Sequence, residues 1–265
     1  MGLLILTTRA TSPGARKKTH NGVKPNYAFC NRSMMGMRIT SWYFAEGTTR
    51  DNANDGSYEE WLCLQNPNAE EAHAHVRYIL ENSRVIERDY VLPPMSRKTY
   101  DVNLEIGPNH DVSAMVTCDR EIVAERPLYF NYRNTWDGGD VAVGSPSLNT
   151  VWHFAEGCTR DGFNTWLCLV NPESREVNAN LDYFLGNAPS ISRRVTIPPH
   201  TRITVDVNLD VEPNRDVSCR VTADQLIAVE RPMYFNYKGA WAGGHIGVGV
   251  SDPGVTWYFA EGCTR

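Results

Sequence analysis

Trp42-Tyr43-Phe44-Ala45-Glu46-Gly47 returns as Trp152-His153-Phe154-Ala155-Glu156-Gly157, and again as Trp257-Tyr258-Phe259-Ala260-Glu261-Gly262. Outward from this sextet the likeness continues in order. Trp61-Leu62-Cys63-Leu64 with Asn66-Pro67 is matched by Trp166-Leu167-Cys168-Leu169 with Asn171-Pro172. Leu92-Pro93-Pro94 is matched by Ile197-Pro198-Pro199, and Asp101-Val102-Asn103-Leu104 by Asp206-Val207-Asn208-Leu209. Glu125-Arg126-Pro127-Leu128-Tyr129-Phe130-Asn131-Tyr132 has its counterpart in Glu230-Arg231-Pro232-Met233-Tyr234-Phe235-Asn236-Tyr237. Trp136 with Gly138-Gly139 matches Trp241 with Gly243-Gly244. From Trp61 to Trp136 the offset to the second copy never changes, so this stretch carries no net insertion. The first copy's extra residues fall in Asp51-Asn52-Ala53-Asn54-Asp55, polar turn formers that mark a surface loop. Collinearity of this kind is the signature of a repeat array: two copies and the opening of a third.

Inside each copy the pattern is β. Val76, Tyr78 and Leu80 alternate with polar neighbours, as do Val195 and Ile197, and Val205 and Val207. Turn signals such as Asn66-Pro67, Pro93-Pro94 and Gly107-Pro108 punctuate the runs, and the double prolines would break a helix. About seven strands per copy are expected, near 41–46, 58–65, 72–80, 84–92, 96–104, 111–118 and 121–132. Strands of that number and spacing predict an all-β chain of tandem antiparallel sandwiches, immunoglobulin-like in the broad sense. A barrel and a propeller of half-repeats are the alternatives. The expected divisions are a tail over 1–40, sandwiches over 41–146 and 147–251, and over 252–265 either the first strand of an incomplete third copy or the closing strand of the second.

The tail holds Arg9, Arg16, Lys17, Lys18, Lys24, Arg32 and Arg38 without an acidic residue, and few apolar residues to bury. A basic, mobile tail is expected there. Over the whole chain the formal net charge is −5, which argues against nucleic acid as a partner. No apolar run approaches the roughly 20 residues of a membrane-spanning helix, so no transmembrane segment is expected. The opening Met1-Gly2-Leu3-Leu4-Ile5-Leu6 is too short and lacks the charged start of a secretory signal.

Each chemical possibility has a structural counterpart. Glu46, Glu156 and Glu261 end the first strand of each copy, while Glu125-Arg126 and Glu230-Arg231 sit in the last. A hydrolase would need two carboxyls converging across a substrate. Residues that recur in every copy more naturally close turns or pair with arginines, so no catalytic residue and no enzyme activity is expected. Trp136 and Trp241 lie in Gly-rich ends, where an indole could be exposed and stack on a sugar, although indoles more often pack in cores. His245 follows Gly243-Gly244, but Asp140 holds its place in the first copy, and no metal or cofactor is expected. Asp51–Gly56 resembles a calcium loop with Ala53 at a ligand position. His73 and His75 share one strand face, where a solvated surface is the simpler reading.

The chain has seven cysteines and none forms a CxxC pair. Cys63 and Cys168 sit on equivalent second strands, with Cys118 and Cys219 on the sixth. A bridge between those strands would stabilise each sandwich by roughly 2–4 kcal/mol. Cys158 with Cys168 is another pairing, and free buried thiols are a third outcome.

The composite of WYFAEG-(C/T)TR, W-L-C-L-x-NP, PP-x-(S/T)-R, ERP-(L/M)-YFNY and W-x-GG resembles uncharacterised repeats of large surface or secreted proteins of actinobacteria and related bacteria. The resemblance spans about residues 41–265, with Thr48 standing where later copies have Cys158 and Cys263. It implies an extracellular or cell-surface β-sandwich used as spacer, stalk, adhesion or assembly unit, whose partners are other repeats of the same or neighbouring chains. Cell-surface glycans, bound through exposed tryptophans, are the alternative partner. Strand addition by residues 257–262 to a neighbour would give an oligomer or filament.

Overall fold

The computed structural model describes residues 40–186 and 188–264. The basic tail therefore lies, apart from Thr40, outside the described residues. The fold is all-β, with two short helical turns among the described residues. The first sandwich comprises β1 (Thr40–Phe44), β2 (Asp51–Asn52), β3 (Gly56–Asn66), β4 (Ala72–Leu80), β5 (Val85–Leu92), β6 (Ser96–Asp101), α1 (Val102–Ile106), β7 (Val112–Cys118), β8 (Val123–Tyr132) and β9 (Trp136–Val143). The second comprises β10 (Asn149–Phe154), β11 (Phe163–Asn171), β12 (Val177–Phe184), β13 (Ile191–Ile197), β14 (Thr201–Asp206), α2 (Val207–Asp210), β15 (Ser218–Tyr237) and β16 (Trp241–Val248).

In the first sandwich one sheet runs β1-β7-β4-β5, and the other runs β6-β3-β8-β9 with β2 also on β3. All pairings are antiparallel. The second sandwich uses one long strand for both layers. The N-terminal half of β15 pairs with β10 and β12, and its C-terminal half with β11 and β16. In the first sandwich that strand is interrupted between β7 and β8. An immunoglobulin sandwich orders its strands ABED and CFG. Here β3 beside β6 and β4 beside β7 reproduce the B–E and C–F neighbours. The first strand joins β7 and β8 joins β3, so the outermost strands have exchanged sheets relative to that order.

Each sandwich has its own core, because alternate side chains of both sheets point inward. Phe44, Leu62, Leu64, Val76, Tyr78 and Val116 fill the first. Trp152, Phe154, Leu167, Leu169, Leu181 and Val221 fill the second. The repeated motifs hold these layers in place. Asn66 Nδ2 donates to the carbonyls of Glu70, Leu92 and Pro93, and Asn171 Nδ2 to those of Arg175, Ile197 and Pro198. Asn103 pins β3 through Glu60 N and Tyr58 O, as Asn208 pins β11 through Thr165 N and Phe163 O. Trp42 Nε1 donates to Ile122 O at 3.0 Å, and Trp152 Nε1 to Ile227 O at 3.0 Å.

Four expectations need correction. The strand expected over 96–104 ends at Asp101, whose carboxylate accepts from Leu104 N and starts one helical turn. The first strand stops at Phe44, leaving Ala45-Glu46-Gly47 as a turn. Trp136–Val143 and Trp241–Val248 are additional strands, despite their paired glycines. Those glycines mark close backbone approach: a Cβ on Gly138 would lie 2.6 Å from the Phe130 ring and 3.1 Å from Gly243 Cα. Finally, residues 257–262 form no strand, and Tyr258 and Phe259 are exposed. In the earlier copies the first three residues of this sextet end the strand that pairs with β7 or β15, and those edges are already held by β1 and β10.

Candidate functional site at the seam between the sandwiches

The Ala45-Glu46-Gly47 turn leaves the first sandwich and sits on the outer face of the β14-β11-β15 layer. That layer points Leu167, Leu169 and Val229 into its own core, so Cys168, Val170, Ala228 and Glu230 face outward by strand alternation. Ala45 and Ile79 of the first sandwich cover Cys168, Val170 and Ala228. Around this apolar spot lies a buried ionic cluster. Glu46 Oε2 receives Arg202 Nη2 at 3.1 Å and the Cys168 thiol at 2.7 Å. Glu46 N donates to Glu230 Oε2 at 2.6 Å, which also receives Arg126 Nη1 at 3.2 Å. Arg126 reaches the Glu46 carbonyl as well, while Arg202 Nη1 donates to Gly47 O at 2.6 Å and Val112 O at 3.2 Å.

Glu46, Glu60 and Glu230 thus share the seam with Arg126 and Arg202, all of them buried. Three carboxyls against two guanidiniums would leave an uncompensated buried charge, which is costly. Glu60 resolves the imbalance. Its carboxyl lies against Gly47, where a Cβ would come within 2.6 Å. Burial, only partly opposed by Arg126, pushes its pKa from 4.5 up to about 8, so it is protonated at neutral pH. Burial also raises Glu230 against the pull of Arg126, and it raises the Cys168 thiol well above its ordinary range. Cys168 is accordingly a hydrogen-bond donor rather than a nucleophile.

The Glu60 assignment has a measurable pH signature. The folded chain holds a proton on Glu60 that the unfolded chain releases above about pH 4.5. Stability from this group is therefore present below pH 4.5 and lost as pH rises through about 8. Urea midpoints of the wild type should fall between pH 5 and 9, and Glu60→Gln should flatten that fall. An unchanged slope in Glu60→Gln would remove Glu60 from the balance.

Beyond the ionic cluster the seam is aromatic. Tyr132 stacks on Tyr234 with ring centroids 4.1 Å apart, and Phe130 meets the same ring edge-on at 4.9 Å. Trp166 Nε1 donates to Tyr132 Oη at 3.3 Å. Asp140 Oδ2 accepts from Ile246 N at 2.8 Å, fastening β9 to β16. A cleft of about 490 Å³ opens beside the cluster, lined among others by Arg50, Asp111, Trp166, Arg202 and Tyr234.

The residues singled out from sequence are placed as follows. Glu46, Arg126 and Glu230 meet in the seam. Glu125 and Arg231 are their copy-mates away from it, and Arg231 reaches the carbonyl of the exposed Glu156. Glu261 lies in the exposed C-terminal segment. Trp136 is half-buried and stacked on Tyr132, whereas Trp241 is 60% exposed and stacked on Tyr237. His245 is half-buried beside Arg231, and burial followed by that guanidinium lowers its pKa. In Asp51–Gly56, Asn52 Oδ1 accepts from the amides of Asn54 and Asp55, closing the turn on itself. His73 and His75 each pair with a nearby aspartate, Asp119 and Asp89. Arg202, Glu60 and the ionic role of Cys168 escaped the sequence reading, although Arg202 belongs to the PP-x-(S/T)-R motif.

The cysteine pairings are not formed: Cys63, Cys118, Cys158, Cys168, Cys219 and Cys263 are all free thiols. The alternation of each strand explains the correction. Cys63 lies between the inward-facing Leu62 and Leu64 and points out, while Cys118 points into the core. Cys168 is likewise outward and Cys219 inward. Cys158 bridges to Asp216 through its backbone, and the Cys168 thiol is turned to Glu46.

No family model matches the chain. A search of curated proteins also returns no match. Among solved structures, Thermotoga maritima 1070 is 19% identical, covering 42% of this chain and 96% of its own, with a TM-score of 0.36. The Anabaena sensory rhodopsin transducer is 18% identical over 31% of this chain and 94% of its own, with a TM-score of 0.29. A red sea bream transglutaminase aligns with 82% of this chain and 31% of its own at 9% identity and a TM-score of 0.17.

Proposed function

We propose that the chain is a non-catalytic structural element of a bacterial cell-surface or secreted protein, a tandem pair of sandwiches acting as stalk, spacer, adhesion or assembly unit. The observation that carries this reading is how the repeated motif residues are used. Asn66, Asn103 and Trp42, with Asn171, Asn208 and Trp152, are consumed in pinning strands. Glu46, Arg126, Arg202 and Glu230 are consumed in joining one sandwich to the next. The converging carboxyls that a hydrolase would need are present, but each is buried against a guanidinium, a backbone amide or a glycine. The extracellular setting rests on the motif resemblance. No helix among the described residues is long and apolar enough to cross a membrane.

Carbohydrate binding is the second reading, favoured by the exposure of Trp241. Two measurements separate them. Protease added to intact cells of the source bacterium should cleave the native protein, and complete protection would overturn the surface assignment. The folded chain should show no saturable binding on a glycan array. A glycan that binds the wild type but not Trp241→Ala would replace the structural reading with a carbohydrate-binding one.

A further inference from the structure

We infer that the chain associates head to tail with a second copy of itself, the free face of its second sandwich docking on the outer face of the first sandwich of its neighbour. The inference rests on the structural reading above and names the partner of that assembly unit. The seam inside the chain joins two unlike surfaces. One is the turn and inner aromatic face at the end of the first sandwich. The other is the outer face of the β14-β11-β15-β16 layer of the second. Each sandwich carries both surfaces, because the motif residues recur. Among the described residues one internal contact therefore leaves one surface of each kind exposed.

The unused outer face lies on β6, β3, β8 and β9. Tyr129 and Val141 there are 53% and 54% exposed, whereas their seam counterparts Tyr234 and Ile246 are 5% and 8% exposed. Arg97 Nη2 donates to Cys63 Sγ at 3.2 Å, as Arg202 Nη2 donates to Cys168 Sγ at 3.1 Å. The socket is thus built the same way and waits for a carboxylate. The unused donor face lies at the far end of the second sandwich. Tyr237 is 44% exposed where its counterpart Tyr132 is 4%. Glu156 is exposed where Glu46 is buried, and Arg231 already holds its carbonyl as Arg126 holds that of Glu46.

Charge supports the match. Between copies, Glu156 and Glu125 would meet Arg97 and Arg231, two carboxyls with two guanidiniums. Thr165 stands where Glu60 stands in the internal seam, so the contact balances without a protonated carboxyl. The two contacts differ at three of these positions. His245 replaces Asp140, so the tie to the neighbouring β strand is not duplicated, and the free outer face carries Gln65 and Val123 where the covered one has Val170 and Ala228. Such a heterologous contact always leaves one face of each kind free, and assembly continues beyond a dimer unless the rotation closes a ring.

The test uses sedimentation velocity on the full chain over a concentration series. The wild type should show mass-action growth past the dimer. Tyr129→Asp removes the outer face and Trp241→Asp the donor face, both at exposed positions that leave the cores intact. Each variant alone should stay monomeric, and their equimolar mixture should form a dimer and nothing larger. Arg97→Glu gives a second check on the outer face and should behave like Tyr129→Asp. A wild type that stays monomeric at every concentration would overturn the inference. So would growth that persists in both variants, which would assign assembly to the exposed Trp257-Tyr258-Phe259 segment. Neither result depends on the glycan or protease measurements, so failure here is distinguishable from failure of the structural reading.

Discussion

Arg202→Ala is expected to lower the folding stability of the chain by about 3–5 kcal/mol, the range for removing one partner of a buried ion pair. The guanidinium neutralises Glu46 at 3.1 Å and also supplies hydrogen bonds to Gly47 O, Val112 O and Thr204 Oγ1. Truncation takes the paired cation from the buried Glu46 carboxylate, which keeps the Cys168 thiol. It also removes a donor from Val112 O and from Gly47 O, which keeps Val112 N at 2.9 Å. The matched substitution Arg97→Ala removes the same residue of the same motif from an exposed face, and is expected to cost under about 1 kcal/mol. Urea unfolding followed by tryptophan fluorescence measures both. Because Arg202 fastens one sandwich to the other, its loss should also separate a single transition into two. Equal costs for the two substitutions would mean that the seam carries no more energy than the free face.

That contrast marks the limit of what the sequence discloses. The alternation in β4, β13 and β14 and the turn signals along the chain were enough to expect antiparallel sandwiches. The strands missed, β9 and β16, carry Gly138-Gly139 and Gly243-Gly244, which local propensity assigns to loops. Only the approach of another backbone makes glycine the fitting residue there. The helical turn after Asp101 is too short to show a helical period. The seam was harder to read, because Arg97 with Cys63 and Arg202 with Cys168 are the same local words. What differs is whether another sandwich covers them. A faint trace exists on the outward positions of the covered face: Val170 replaces Gln65, and Ala228 replaces Val123. The first change removes a polar group and the second removes bulk at the spot where Ala45 and Ile79 pack. Since Glu46 and Glu156 are identical in type, no local pattern says which is buried. That is decided by the order of the sandwiches along the chain.

The tryptophans give the second large effect and separate core from surface within one motif class. Trp152 is 2% exposed, fills the second core beside Phe154 and Val221, and donates to Ile227 O. Trp152→Ala removes a buried indole and leaves a cavity, for which about 3–5 kcal/mol is expected. The freed Ile227 carbonyl adds to the loss, since a buried acceptor left unpaired costs about 1–3 kcal/mol. Trp241 rests on Tyr237 with ring centroids 5.8 Å apart and most of its surface in solvent. Its stacking is worth about 0.5–1.5 kcal/mol at most, and Trp241→Ala should fall within that range. Thermal and urea melts of the two variants check the pair. A residue costing little stability while presenting a large apolar ring is free to serve an interface, so Trp241→Ala should retain the fold and lose self-association. If Trp241→Ala destabilised the chain as much as Trp152→Ala, its ring would belong to the packing of the second sandwich. The head-to-tail contact would then have to do without it.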